Sequence, residues 1–322
     1  MTKAEAVWHA DRVHSAIRSG EAVNSALVAS WQRSASLHRL DPAERRSPNR
    51  LSEAELGAAK RPMELMLRAA QASLDRLYNA VGAMGCCVLL ANHDGVPLER
   101  RGTAGDDETF EKWGLWPGSV WSEENEGTNG IGTCLVEQRT LTIHRDQHFF
   151  TRNTLLSCTT APIHDHEGNL AGALDVSSCR TDLTEELVNL IAMAVGDAAR
   201  RIEVEHFRLA FPGSRIVVAP AAKWHLNCLL ALDKDDLVVG ATRAARQAYR
   251  HRDGLTGRPF PSSEEDLCET RFGEELKNAE KGILERALFR SGGNVTAAAR
   301  ELRVSRATLH RKLNRLGIGR PD

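Results

Sequence analysis

Six residues close together carry the clearest chemistry in this sequence. Arg306, Thr308, His310, Arg311, Lys312 and Arg315 are interleaved with Leu309, Leu313 and Leu316. The leucines repeat at i, i+4 and i+7, which gathers them on one edge of a helix. The remaining face is cationic and rich in hydrogen-bonding groups. Cations of this kind neutralise phosphates, and a guanidinium can fork onto the major-groove edge of a guanine. Such a helix is the second, groove-entering helix of a helix-turn-helix.

A second group could bind a small molecule. Trp113, Trp116, Trp121, Glu123, Asn129, His144, His148 and Phe149 fall within one short stretch, with Asn125, Thr128 and Phe150 among them. Aromatic rings supply apolar walls, and a few polar groups orient a ligand. Core and capping roles compete with this for each residue, and 127–133 could simply cap a helix. His144 and His148 are four apart, and His164 and His166 are two apart around Asp165. A strand would put the latter pair on one face, but a histidine in a charged loop is more often solvated, so no metal is assigned. Cys86 and Cys87 lie in an apolar run that argues for burial rather than thiolate reactivity.

These groups need elements to hold them. Asn294 is a good N-cap for a helix preceding the basic one, and Ser305 caps the basic helix itself. Ala298 and Ala299 are small enough for the two helices to cross closely, and Leu302 and Val304 flank the turn. Upstream, 274–289 has apolar residues at helical spacing and stops at Ser291-Gly292-Gly293. The front of the chain, 4–71, reads as mainly helical, with a break at Leu40-Asp41-Pro42 and a charged loop over 43–49. Helix resumes near Ser52 and runs to about Ala80, with an interruption at Pro62. Strands are expected over 86–91, 96–100, 140–143, 158–163 and 170–176, then a long helix over 182–209. Antiparallel strands flanked by long helices make an α+β domain. A β-hairpin and a helix follow within 211–251, then a linker of Pro, Gly, Ser and acids over 252–271.

Composition narrows the class. Hydrophobic residues make up 42% and charged residues 26% of 322 residues, which is globular. The formal net charge is −1, yet 291–322 holds seven Lys/Arg against two acids. A basic module on an acidic body suits nucleic-acid binding confined to one end. No apolar run approaches a membrane span, and no signal peptide pattern opens the sequence. Seven cysteines without a CxxC pair read as reduced thiols, so a cytoplasmic protein is expected.

Two resemblances follow from these residues. The segment EKGILERALFRSGGNVTAAARELRVSRATLHRKLNRLGI resembles the DNA-binding end of the Fis family over 272–318. That resemblance implies an all-α helix-turn-helix, double-stranded DNA as partner and a homodimer. It places Asn294, Thr296, Ser305, Arg306, Thr308, Arg311 and Lys312 at DNA-facing positions. Arg303 departs from the family, which usually has glycine in this turn. The stretches WSEENEGTNGIGTCLVEQRTLTIHRDQHFF and SCTTAPIHDHEGNLAGALDVSS resemble the GAF domain of AcoR-like acetoin-catabolism regulators. The resemblance spans 30–207, including Ser30-Trp31-Gln32-Arg33-Ser34. It implies a sensor of an unidentified small-molecule inducer, and contact with RNA polymerase. The 211–251 unit is similar to the PAS-like segment of the same regulators, too short for a full pocket.

Regulators of that kind usually carry an ATPase between sensor and Fis-like end. Here a linker of about 20 residues stands in that place, and neither a G-x-x-x-x-G-K-[ST] loop nor a GAFTGA stretch occurs. The expected organisation is a helical region at 1–80, a GAF sensor at 81–209, a PAS-like segment at 210–252, a linker at 253–271 and a Fis-type helix-turn-helix at 272–322. The expected function is ligand-sensing transcription regulation without ATP hydrolysis, cofactor, metal or membrane, and not an enzyme. The alternative is a DNA-bending or co-regulator protein whose GAF fold only builds the oligomer.

Overall fold

The computed structural model describes residues 3–180, 183–219, 227–249, 255–260, 283–284, 287–288, 290–291, 293–302 and 304–315. The chain divides into two compact units, 1–258 and 259–322.

The first unit is built on a five-stranded antiparallel sheet. Its strands are β1 (Cys86–Asn92), β2 (Pro97–Arg101), β3 (Leu141–His144), β4 (Ser157–His164) and β5 (Leu170–Ser178), in the order β2-β1-β5-β4-β3. Successive side chains point to opposite faces, and here both faces are covered. Val88, Leu90, Leu98, Ala161, Ile163, Leu174 and Val176 face a helical layer. That layer is α4 (Glu64–Val81) and the 26-residue α8 (Glu185–Ala210). Cys87, Leu89, Ala91, Cys158 and Ala173 face the other way, onto Phe110, Leu115, Trp121, Ile131 and Cys134. Double coverage explains why β1 is buried along its whole length and reads as an unbroken apolar run rather than an alternating one.

The helices obey local signals. Ser52 and Glu55 form a reciprocal capping box at α3 (Glu53–Lys60). Pro62 sits in a single 3₁₀ turn, Arg61–Met63, and α4 follows at once. Proline has no N–H to donate, so it is accommodated in a first turn where none is needed. Thr184 caps α8 by accepting from Leu187 N. Ahead of these, α1 (Lys3–Arg18) and α2 (Ala26–Gln32) pack through Val13, Val28 and Trp31 onto Phe149 and Phe150.

A smaller antiparallel sheet follows: β6 (Arg215–Val218), β7 (Leu229–Leu232) and β8 (Val238–Ala241), then α9 (Arg243–Ala248), capped by Thr242. The hairpin and helix match expectation, while β6 is an additional strand. Its four residues, RIVV, are all exposed or half-exposed, so no buried face marks it in the sequence.

In the second unit, Val295–Glu301 and Arg306–Arg315 are helical. Leu284, Ala287, Leu288, Ala298, Ala299, Leu309 and Leu313 form its core, with Leu302 and Val304 against it. Of the helix expected over 274–289, residues 283–284 and 287–288 are described, and all four are helical. Arg303 and Leu316 lie outside the described residues, and so does most of the linker.

Candidate functional site

The two helices around 294–315 are positioned by their caps. Asn294 Oδ1 accepts from Thr296 N at 3.0 Å and from Ala297 N at 3.2 Å. Ser305 Oγ accepts from Thr308 N at 3.0 Å, and the Ser305 and Thr308 hydroxyls lie 2.8 Å apart. Each cap satisfies backbone donors that a helix start leaves orphaned. Ala298 and Ala299 are buried where the helices cross, and Leu309 and Leu313 seat the second helix. What remains outward is polar: Asn294, Thr296, Ser305, Arg306 and Arg311 are exposed, and Thr308, His310 and Lys312 are half-buried. The first turn of this helix has no acid, so nothing on it opposes a phosphate. The structure thus places the seven residues expected to face DNA, and His310 of the same basic helix, on one small motif.

The residues expected to line a ligand site are arranged differently. Trp121 is buried and its indole N–H donates to Gly114 O at 2.6 Å. Glu123 is buried beneath α2. It accepts from Arg33 Nε at 2.8 Å and Nη2 at 3.0 Å, from Thr133 Oγ1 at 3.1 Å, and from the Ser30 hydroxyl. Thr128 Oγ1 lies 2.7 Å from Ser30 Oγ and closes the network. After the short α6 (Glu123–Glu126), Asn129 caps α7 (Gly130–Glu137) by accepting from Gly132 N at 2.8 Å. Phe149 meets Phe150 edge-on at 5.5 Å. It presses on Gly127, whose φ of 60° and lack of a Cβ make room for the ring.

His148 is fully buried; its Nδ1 must donate to Arg145 O at 3.0 Å, while Nε2 finds no partner. Burial pulls its pKa down to about 4. His144 is half-buried beside Ser157 Oγ at 2.9 Å. Trp113 and Trp116 are also half-buried. Trp121, Glu123, Asn129, His148 and Phe149 are therefore held by the protein's own groups, and Glu123 and Phe149 meet the N-terminal helices. The reason is α2 and the helical turn Arg33–Leu37 after it, which bring Ser30, Trp31, Arg33 and Ser34 against these residues.

The sheet face under α5 (Asp107–Lys112) and α7 holds two ionisable groups that the sequence reading passed over. Asp175 on β5 is fully buried, and accepts from Ser177 Oγ at 2.6 Å and Thr160 Oγ1 at 2.5 Å. Burial raises its pKa to about 6 against the two hydrogen bonds, which lower it. Arg100 on β2 lies in the same row, with Leu89 between them. A lone acid inside the apolar run LAGALDVSS was the available signal for Asp175, since unpaired acids are seldom buried. The thiols of Cys87 and Cys158 on this face are pushed well up by burial, so neither is a poised nucleophile.

Comparison with known proteins matches this arrangement part by part. The GAF domain family matches residues 66–202. The family of bacterial regulatory proteins described as the Fis family matches residues 275–320. The acetoin catabolism regulatory protein of Cupriavidus necator is 30% identical over 275 residues, covering 82% of this chain and 41% of that protein. The chain is a homologue of the acetoin catabolism regulators. The acetoin dehydrogenase operon activator AcoR of Bacillus subtilis is 29% identical over 175 residues, 54% of this chain and 29% of that one. The propane 2-monooxygenase operon activator MimR of Mycolicibacterium smegmatis is 30% identical over 182 residues, 55% and 29% of the two chains. The chain spans less than half the length of each of these relatives. Among solved structures, the Escherichia coli DhaR(N)–DhaL complex superposes with a TM-score of 0.51 at 14% identity, covering 76% of this chain and 85% of that one, which is a likeness of fold. The GAF match begins inside α4, so α1–α3, with Ser30 and Arg33, lie ahead of it.

Proposed function

We propose that the chain is a direct-acting transcription regulator. Its helix-turn-helix binds double-stranded DNA as a homodimer in the cytoplasm, its GAF module senses a small molecule, and RNA polymerase is its downstream contact. The observation that carries the DNA-binding reading is the capped helix Arg306–Arg315, with Leu309 and Leu313 inward and Arg306 and Arg311 outward. Arg306 and Thr308 stand in its first turn, the end of a recognition helix that meets base edges. Lys312 stands more than a turn further along and is assigned to phosphate, which gives affinity without sequence information.

DNA selected from random sequence by the full chain provides the test. Arg306→Ala should flatten the preference for selected over random DNA by about 1–3 kcal/mol. Lys312→Ala should weaken both DNAs alike and lower the salt slope by about 1. Sedimentation of the same samples should find two copies per duplex. The reverse division of effects between the two variants would overturn this orientation of the helix, and a single copy per duplex the dimer.

Regulation here proceeds without ATP hydrolysis, because the sequence holds no phosphate-cradling loop between its GAF and Fis-type parts. Calorimetric titration of the protein with Mg-ATP should give no saturable heat, and a saturable site would defeat this reading. One observation favours a second reading of the GAF module. The buried Ser30–Glu123–Thr128–Thr133 network fills the region of the expected ligand residues, as a ligand-free oligomerisation scaffold would.

A further inference from the structure

Among the described residues, Arg100 has two buried side-chain nitrogens left without a partner. Its side chain is 9% exposed. Nη1 donates to Asp107 Oδ1 at 2.6 Å, while Nε and Nη2 are buried without a partner. Those two nitrogens share one edge of the guanidinium, the side-on fork that matches the two oxygens of a carboxylate. Buried donors left unmade are costly, so a free edge facing away from solvent calls for an explanation.

The surroundings hold that edge in place. The guanidinium lies 4.6 Å from the Trp116 ring and 5.3 Å from the Phe110 ring. Gly102 leaves room for it, since a Cβ there would collide with Nη2. Leu89 is its neighbour across the β1–β2 ladder and adds an apolar floor. Asp175, beyond Leu89, is turned to Ser177 and Thr160. The cover is thin: α5 has six residues and buries only Phe110. Phe110 also lines a cleft of about 460 Å3 with Thr103, Asp106, Thr109 and Cys179, on the α5 side of the sheet.

We infer that Arg100, between Trp116 and Phe110, is the anchor for a small organic carboxylate with a short apolar or aromatic tail. A planar monoanion fits one free fork between two flat rings, whereas a phosphate dianion would bring two charges to a cation already shared with Asp107. This rests on the sensor reading of the GAF module, and names the chemical class that it senses.

The experiment titrates the full chain by calorimetry and tryptophan fluorescence with acetate, pyruvate and benzoate. Acetamide, benzamide and inorganic phosphate serve as controls. At least one carboxylate should bind saturably, up to tens of millimolar, while its amide and phosphate do not. Arg100→Gln should weaken that binding about ten- to a hundredfold, the worth of charge-assisted hydrogen bonds. Arg100→Lys should not restore it, because an ammonium lacks the fork. Gly102→Ala should weaken it with the charge still present, by displacing the guanidinium, so the outcome does not hang on one variant's folding. Binding by none of the three carboxylates, equal binding of an amide, or undiminished binding in both Arg100→Gln and Gly102→Ala overturns the assignment. Measuring DNA affinity with and without the carboxylate separates the two readings. A carboxylate held by Arg100 that leaves DNA affinity unchanged supports this site and defeats the sensor role.

Discussion

Glu123→Ala should cost the first unit about 3–5 kcal/mol of stability, the loss expected when one partner of a buried ion pair is removed. The Glu123 side chain is 2% exposed, and Arg33 is 30% exposed. Removing the carboxylate leaves Arg33 only the more distant Glu137, at 3.6 Å, and takes the acceptor from the Ser30 and Thr133 hydroxyls. Glu123→Gln keeps one acceptor oxygen for those hydroxyls and should cost visibly less. Urea unfolding gives the magnitude. Hydrogen exchange gives the location, because amides of α2 should lose protection before those of β1 and β5. A Glu123→Ala protein within 1 kcal/mol of the parent, or one with uniform loss of protection, would show that this network does not hold α2 to the sheet.

Acid should weaken the same unit between about pH 6.5 and 4. His9, His148 and His206 are all buried and have folded pKa values pulled down to about 4, each chiefly by burial. The unfolded chain takes up these protons near pH 6.5 and the folded chain does not, so stability is present above that pH and is lost as pH falls through the window. For the fully buried His148 alone, the shift corresponds to about 3 kcal/mol. Asp175 acts in the opposite sense. Its folded pKa of about 6 lies above that of an unfolded aspartate, so it favours the folded state at low pH and loses that contribution as pH rises through 6. Glu126, whose pKa burial also raises, acts with Asp175, but three histidines outweigh the two acids, and the net slope should be loss toward acid. His148→Gln should flatten the curve between pH 6.5 and 4, and Asp175→Asn should steepen it. Denaturant midpoints across pH 4–8 read both, and a slope unchanged by His148→Gln would sink the assignment.

Much of the fold was legible because its determinants are local. Caps at Asn294, Ser305 and Ser52 stand directly before their helices, and the apolar run of β1 is what a doubly covered sheet demands. What was not legible shares a physical reason. Ser30 meets Glu123 across 93 positions of sequence, and no local signal encodes that meeting. Trp121, Glu123, Asn129, His148 and Phe149 read as pocket lining because the same residue types that orient a ligand also satisfy the protein's own groups. Arg100 reads in the sequence as a charge at a strand end. Its burial is created by Trp116 and Phe110, from beyond the turn. The strand β6 escaped because four residues, two exposed and two half-exposed, carry no buried face to detect.

The long helix α8 also bears on how such proteins are assembled in evolution. It runs past the last residue matched by the GAF family and ends at Ala210. Its final turns seat Phe207 against Leu229 and Ala231 of the small sheet. Glu203, on the same helix, takes the backbone N–H and the ring of His164 on β4, and His164 in turn contacts Arg243 of α9. A genetic breakpoint at 202 would sever this rod and uncover a phenylalanine that is wholly inside. The segment that recombination can trade as one working part is therefore 1–258, larger than the domain by which it is recognised.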